Sequence, residues 1–387
     1  MNFDLSDEQK AYQAAARQFA QKALTPFAAE WDAHSHFPIQ TLRQAGDMGF
    51  MSLYTPVEHG GMGLGRLDST LIIEELSLGC TATAAYITIH NMATRMIATY
   101  GTPALHAEVL PRLVSGEKLA SYCLTEPNAG SDAASLKTTA LRQGKNYVLN
   151  GNKAFISGAG STDFLVVMAR TGESGPKGIS AFVVPARAEG ISYGRKEQKM
   201  GWNAQPTGTI NFDQVVVPET WRLGQEGEGF GFAMQALDGG RINIATCSLG
   251  TAQAALNQAH SYLQTRTQFG KPLSSFQALQ FKLADMATEL QAARQMVRLA
   301  AWKLDHDDPE ASTYSAMAKR FATDVGFEVC NEALQLHGGY GYIREYPLER
   351  HVRDSRVHQI LEGTNEIMRV IIARRLLNNA HLAGFRE

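Results

Sequence analysis

The sequence predicts an α+β protein in three parts: a helical region over 1–120, a β-rich region over 121–230 and a helical bundle over 231–387. Three observations carry this. Ile242, Ala245, Leu249, Ala252, Leu256, Ala259 and Leu263 step by three and four residues, and so do Leu279, Leu283, Met286, Leu290, Ala293, Val297, Ala300 and Leu304. That spacing puts each set on one face of one long helix. From about Ala120 the chain turns to short β-rich runs separated by Gly, Pro and Asn, the texture of a small barrel or sandwich. The first 120 residues read as helical, with a stretch after Ser6 rich in Ala, Gln and Phe and with punctuation at Pro26 and Pro38.

Each element has its own signal. Ser6 before Asp7 and Glu8 is an N-cap with acids in the first turn. The stretch from Pro56 to Gly65 is a glycine-rich loop, but no GK[ST] follows it, so it reads as a loop ordered against the fold and not as a phosphate cradle. Helices are predicted over about Asp68–Ser77 and Thr83–Tyr100, the second stopping at Gly101-Thr102-Pro103. Strands are predicted at Tyr147–Leu149, Lys153–Ser157, Phe164–Ala169, Gly178–Pro185 and Thr209–Val217. Asn150-Gly151 between the first two predicts a two-residue hairpin turn. A loop with Arg266, Gly270 and Pro272 separates the two long helices, and a third begins at Ser312.

Composition excludes several functions. Thirty-six Lys and Arg against 38 Asp and Glu leave a net charge of −2, which offers no general attraction to nucleic acid or an anionic membrane. No apolar run reaches the length of a membrane span. The first residues fit neither a signal nor a transit peptide, so a cytoplasmic location is expected. Cys80, Cys123, Cys247 and Cys330 are widely spaced and read as buried thiols. The pairs His34/His36 and His351/His358 have no further ligand at metal spacing, so no metal site is predicted.

The chemistry points to Glu362. It follows the apolar pair Ile360-Leu361 and precedes Gly363, with Arg353, Asp354, Arg356 and His358 just upstream. A carboxylate beside apolar residues loses solvation, its pKa rises and it can act as a base near neutral pH. Four other stretches carry polar groups suited to a heterocycle and an anion: Tyr122 to Asp132, Phe155 to Gly158, Arg266 to Lys271, and Gln335 to Gly341. Singly, each is equally a tight turn or a helix end. No G-x-G-x-x-G follows a strand, so a Rossmann site is not indicated.

Together these stretches resemble the acyl-CoA dehydrogenase family over essentially the whole chain. The likeness lies in YCLTEP from Tyr122, AFISG from Ala154, RTQFGKP from Arg266, LHGGYGY from Leu336, RDSRVHQI from Arg353 and EGTNEIMR from Glu362. It is closest to the branch acting on isobutyryl-CoA. The resemblance implies an N-terminal helical domain, a middle β-barrel and a C-terminal four-helix bundle, assembled as a homotetramer. It implies FAD held by Tyr122, Cys123, Leu124, Thr125, Gly130, Ser131, Phe155, Ile156 and Ser157 around the ring. Arg266, Phe269, Phe276, Gln277, Gln335, Leu336, His337, Gly338 and Gly339 would hold the adenine and pyrophosphate portion from a neighbouring subunit. Thr364, Asn365 and Glu366 would hold FAD beside the base. Ser131, Asp238, Gly239, Gly240, Arg241, Gly363 and Arg374 would meet an acyl-CoA.

By the same resemblance Glu362 would take the α-proton while a β-hydride leaves for the flavin, turning isobutyryl-CoA into methacrylyl-CoA. Electrons would pass to an electron-transferring flavoprotein, in valine breakdown. Some relatives carry the base on the bundle helix, where this chain has Gly240. Asn128-Ala129 and Leu361 depart from the usual pattern. Leu361, in place of Tyr, either leaves room for a branched acyl group or is packing. The alternatives are a butyryl- or 2-methylbutyryl-CoA dehydrogenase, an acyl-CoA oxidase, and a non-catalytic flavin-bearing DNA-binding relative, which the net charge of −2 disfavours.

Overall fold

The structure, a computed structural model, describes residues 4–378. Helix α1 (Asp7–Phe19) opens on a capping box between Ser6 and Gln9, as Ser6 predicts. Then come α2 (Ala28–Ala33), α3 (Ile39–Asp47), α4 (Arg66–Gly79), α5 (Thr81–Tyr100) and α6 (Pro103–Val114). The predicted stop at Pro103 is a change of direction: the Thr102 hydroxyl caps Leu105 N and Pro103 begins α6 at once, where its missing N–H costs nothing. Almost every residue of α4 and α5 is buried, so these two helices form the middle of the first region. The glycine-rich loop before α4 is ordered, with Met62 and Leu64 packed on the core beneath it.

Eight strands form one sheet: β1 (Ala120–Cys123), β2 (Thr139–Gln143), β3 (Asn146–Ser157), β4 (Phe164–Arg170), β5 (Ile179–Pro185), β6 (Ile191–Tyr193), β7 (Thr207–Pro218) and β8 (Arg222–Leu223). The order is β6-β7-β3-β2-β4-β5-β8, with β1 parallel to β4. The halves meet at one pair, Thr139 with Arg170, and β6 and β8 are the two ends of the path. The strands thus make one sheet whose halves share a core of Tyr147, Leu165, Phe182 and Phe212, within the barrel-or-sandwich class the sequence predicts.

Asn150-Gly151 is not a hairpin turn. β3 runs straight through it as a bulge against β7, with Gly151 at φ 141°. The Asn150 side chain accepts from Gln214 N at 2.8 Å, and a Cβ on Gly151 would sit 2.7 Å from Thr138 Cα. The dipeptide is thus selected for close backbone approach within the sheet. The real turn lies between β2 and β3, at Gly144 with φ 62°.

The C-terminal region holds α7 (Gly229–Thr265), the short hairpin β9 (Thr267–Gln268) and β10 (Lys271–Pro272), α8 (Gln277–Asp305), α9 (Ala311–His337), α10 (Leu348–Arg356) and α11 (Asn365–Asn378). Both predicted apolar stripes lie in the core of the α7, α8, α9 bundle, and α11 packs on α9 as the fourth helix. The Asp305 carboxylate at the end of α8 accepts from Arg66 N at 2.6 Å and Leu67 N at 2.9 Å, so the bundle caps the start of α4. No helix among the described residues is long and apolar enough to cross a membrane.

One ion pair lies inside the β-rich region. Lys153 Nζ, fully buried, donates to Glu126 Oε1 at 2.8 Å and to Leu124 O at 3.1 Å. Glu126 also accepts from the backbone N–H groups of Lys137 and Thr138. The pair anchors the Tyr122–Asp132 stretch to β3. Lys153→Met leaves Glu126 buried without its cation, and the variant should lose about 3 kcal/mol in urea unfolding; a loss under about 1 kcal/mol would show that the backbone donors alone suffice.

Candidate active site

Glu362 sits in a turn between α10 and α11. Its φ is 56° and that of Gly363 is 89°, so both residues are left-handed. A left-handed non-glycine residue costs roughly 1–3 kcal/mol and persists only where its surroundings impose it. Upstream, the Asp354 carboxylate accepts from Trp202 N at 2.6 Å, and His358 is clamped between Ser248 Oγ at 2.7 Å and Trp202 Nε1 at 3.2 Å. His358 is fully buried and burial drives its pKa down to about 3, so it is a neutral structural residue. Downstream, Asn365 Nδ2 donates to Asp324 Oδ1 at 2.7 Å and Thr323 Oγ1 at 2.9 Å, and Thr364 Oγ1 accepts from Ile367 N at 3.3 Å.

Two adjacent glycines on α7 receive the site. A Cβ at Gly240 would lie 2.4 Å from Glu362 Oε2, and one at Gly239 would lie 2.6 Å from the Arg66 guanidinium. The two missing side chains thus make room on α7 for a carboxylate at Gly240 and a cation at Gly239. Arg66 stacks on the Tyr54 ring at 3.6 Å, and Tyr54 Oη accepts from Asn243 Nδ2 at 3.2 Å. On the same helix Asp238 accepts from Arg241 Nη1 at 2.5 Å and from Ser312 Oγ at 2.9 Å.

Glu362 Oε2, Tyr122 Oη, Arg66 Nη1 and Arg241 Nε are all buried without a hydrogen-bond partner. Buried polar groups are ordinarily satisfied, and leaving one unpaired costs about 1–3 kcal/mol. Orphaned atoms on residues around one notch mark a place built for a polar ligand. Burial raises the Glu362 pKa to about 7, against the opposing pull of Arg241 and then Lys319. Burial, and then the Glu362 charge, hold Tyr122 well above its ordinary value, so it stays protonated.

A second feature is a groove of about 610 Å³ at the end of the bundle. Arg266, Gln335, Leu336, His337, Gly338 and Gly339 all line it, as expected, together with Tyr262 and Lys282. A Cβ on Gly338 or Gly339 would meet nothing within 4 Å, so their backbone is open. Tyr262 stacks on His337 at 4.2 Å and Arg266 lies over Tyr340 at 5.5 Å. Cations, open amides and aromatic faces suit a phosphate-bearing heterocycle. Phe276 packs edge-on against Phe269 at 6.1 Å, and Gln277 starts α8 in the open. Phe269, at the hairpin tip, is 93 % exposed.

The β-rich region presents Phe155, left-handed and 68 % exposed, with Ser157 at the end of β3. The side chains of Cys123 and Ile156 point into the β core, and that of Leu124 packs between the sheet and the helices, so these residues have chiefly backbone to offer a ligand. Thr125 is half-buried, and Gly130 and Ser131 lie in an exposed turn. Asn365 is likewise used up: its amide is committed to α9. Glu366 and Arg374 are exposed on α11, away from the orphaned cluster's hydrogen bonds.

Sequence reasoning missed Tyr54, Arg66, Asn243 and Lys319. Gly239-Gly240 in mid-helix was a usable signal, since each glycine costs a helix about 1 kcal/mol and so marks a close approach.

The carboxylate's folded pKa lies above its unfolded value of ~4.3, so the folded chain holds an extra proton between about pH 4.3 and 7. Stability is therefore full below that window and falls as pH rises through it. Glu362→Gln should melt roughly 2–4 °C above the parent at pH 8 and with it at pH 4. Coincident melting at both pH values would show a solvated carboxylate.

Comparison with known proteins agrees along the whole chain. Models of the N-terminal, middle and C-terminal domains of acyl-CoA dehydrogenase match residues 6–117, 121–215 and 227–377. The mitochondrial isobutyryl-CoA dehydrogenase of Bos taurus is 52% identical over 96% of this chain and 90% of its own length. Butyryl-CoA dehydrogenase from Megasphaera elsdenii superposes with a TM-score of 0.95 at 40% identity, over 98% of this chain and all of that one. A chain solved in work on the electron transferring flavoprotein of Acidaminococcus fermentans does so with a TM-score of 0.95 at 41% identity, over 98% and 100%. The family's cofactor is FAD, and the cationic, open-backboned groove and the exposed Phe155 fit its phosphates and ring. With all three domains matched and half of its residues shared with one relative, this chain belongs to the acyl-CoA dehydrogenase family.

Proposed function

We propose that the protein desaturates isobutyryl-CoA to methacrylyl-CoA with Glu362 as the base. The observation that carries this is the Glu362 carboxylate itself: Oε2 sealed from solvent, unpartnered, with a pKa of about 7. FAD, when bound, supplies the acceptor for the hydride that leaves the substrate's β-carbon. The residues that would hold it are Arg266 and Gln335 to Gly339 in the groove, and Tyr122 to Thr125 with Phe155 to Ser157 on the β-rich region.

The chain's own residues do the acid–base work. Glu362 takes the proton from the carbon next to the thioester. A base is most effective when its pKa lies near the working pH, and burial puts it there. The left-handed turn fixes the carboxylate before the substrate arrives, so little orientation is lost in the reaction. Arg241 favours the ionised form from α7. Tyr54 belongs to the buried N-terminal core and Tyr122 and Leu361 pack against it, apolar surface that would keep water from the turn. Gly240, the α7 position that meets the Glu362 carboxylate, cannot ionise, so no competing base stands there. Ser131, Asp238, Gly239, Arg241, Gly363 and Arg374 are assigned to the acyl-CoA.

The branched substrate is favoured by the 52% identity to an isobutyryl-CoA dehydrogenase against 40% to a butyryl-CoA dehydrogenase. Leu361 packs on the N-terminal core, so it serves packing whatever room it leaves for substrate. An electron-transferring flavoprotein is the inferred acceptor, and a homotetramer the inferred assembly. The 93 % exposure of Phe269 beside the groove supports a second copy covering it.

The test is anaerobic bleaching of the flavin by a panel of four- and five-carbon acyl-CoAs. Isobutyryl-CoA should bleach fastest, and Glu362→Gln should bleach at least ~10³-fold more slowly. In the parent, kcat/KM should rise about tenfold per pH unit up to about pH 7 and then level off. A preference for butyryl-CoA by more than about tenfold would overturn the branched assignment.

A further inference from the structure

Helix α9 carries a lysine where its neighbours are Ala316, Ala318 and Ala322. Lys319 has no exposed surface. Its Nζ donates to Gly363 O at 2.8 Å and to Asn365 Oδ1 at 2.9 Å. Neither acceptor is charged. Both belong to the turn that begins with Glu362, and Gly363 O is the carbonyl of the second left-handed residue. Asn365 in turn holds Thr323 and Asp324 one turn further along α9. The lysine and this amide therefore tie the turn to α9 at two successive helical turns.

A buried ammonium bonded only to neutral oxygens is expensive, and an apolar side chain would fill the same space more cheaply. Its presence calls for a reason, and the residue it faces electrostatically is Glu362. Burial lowers the lysine's pKa to about 7; Glu362 raises it, Arg241 lowers it, and Asp324 and Glu366 raise it. Glu362 in its turn interacts electrostatically with Arg241 on α7 and Lys319 on α9, and with the hydroxyls of Tyr54 and Tyr122. The neighbouring His358 is neutral.

We propose that Lys319 is a positioning residue for this reaction: its buried ammonium grips the Glu362–Asn365 turn and favours the ionised form of the Glu362 carboxylate. The proposal rests on Glu362 being the base. It assigns Lys319 no contact with substrate or cofactor. Arg241 acts on the same carboxylate but is tied to Asp238, so it does not hold the turn.

The experiment compares the holoenzyme with Lys319→Gln and Lys319→Met, both uncharged and unbranched. Gln keeps a donor for the turn, and Met keeps the packing. The acid limb of kcat/KM should move up by about one pH unit in each, lowering kcat/KM at pH 6 by about tenfold and recovering towards the parent by pH 9. A second readout needs no turnover. The pH at which the melting advantage of Glu362→Gln over its own parent stops growing should rise by the same unit when both chains also carry Lys319→Gln. If only one variant folds, its limb decides. Limbs that superpose on the parent's in either variant would overturn the proposal, since Lys319 would then be neutral or remote. If Glu362→Gln desaturates at the parent's rate, the base assignment itself has failed, and that result is distinct from an unmoved limb.

Discussion

The site depends on one contact: the Glu362 carboxylate packed into the side of α7 where Gly240 leaves room for it. Remove the room and the acid cannot be buried; leave it in water and its pKa returns to the ordinary carboxylate range. Much of the surrounding architecture serves to hold that contact. The turn is left-handed at two successive residues, a conformation that would relax without support. His358, Trp202 and Asp354 support it from one side, and Lys319 and Asn365 from the other. The desolvation cost is met by the two cations on α7 and α9, which pull against burial without cancelling it.

The three regions meet around this contact. The first contributes Tyr54 and Arg66, the second Tyr122, and the bundle Glu362 and the notch. Asp305, by capping α4 from the end of α8, sets where Arg66 emerges relative to Gly239. The groove at Arg266 and Gly338 lies apart from the notch in lining residues.

Much of this was legible in the sequence, and the failures have physical causes. The two apolar stripes of α7 and α8 were read residue by residue, because long periodic segments override local ambiguity. Glu362 was legible from its apolar neighbours and its following glycine. Asn150-Gly151 was misread because the same dipeptide serves a tight turn and a bulge, and only the strand opposite distinguishes them. Arg66 and Lys319 were invisible for a different reason. A charged residue is ordinarily solvated, and only the tertiary structure shows that Lys319 is fully buried and that Arg66 has a sealed Nη1.

The α7 notch also constrains how this kind of site can change over generations. Position 240 lies so near the Glu362 oxygen that an acidic side chain there would claim the same volume. Two carboxylates could not share it, by size or by charge. Transfer of the buried acid from loop to helix must therefore be a paired exchange, acid gained at one position and surrendered at the other, and a lineage passing through either single change goes by way of an intermediate that lacks the acid or is badly strained.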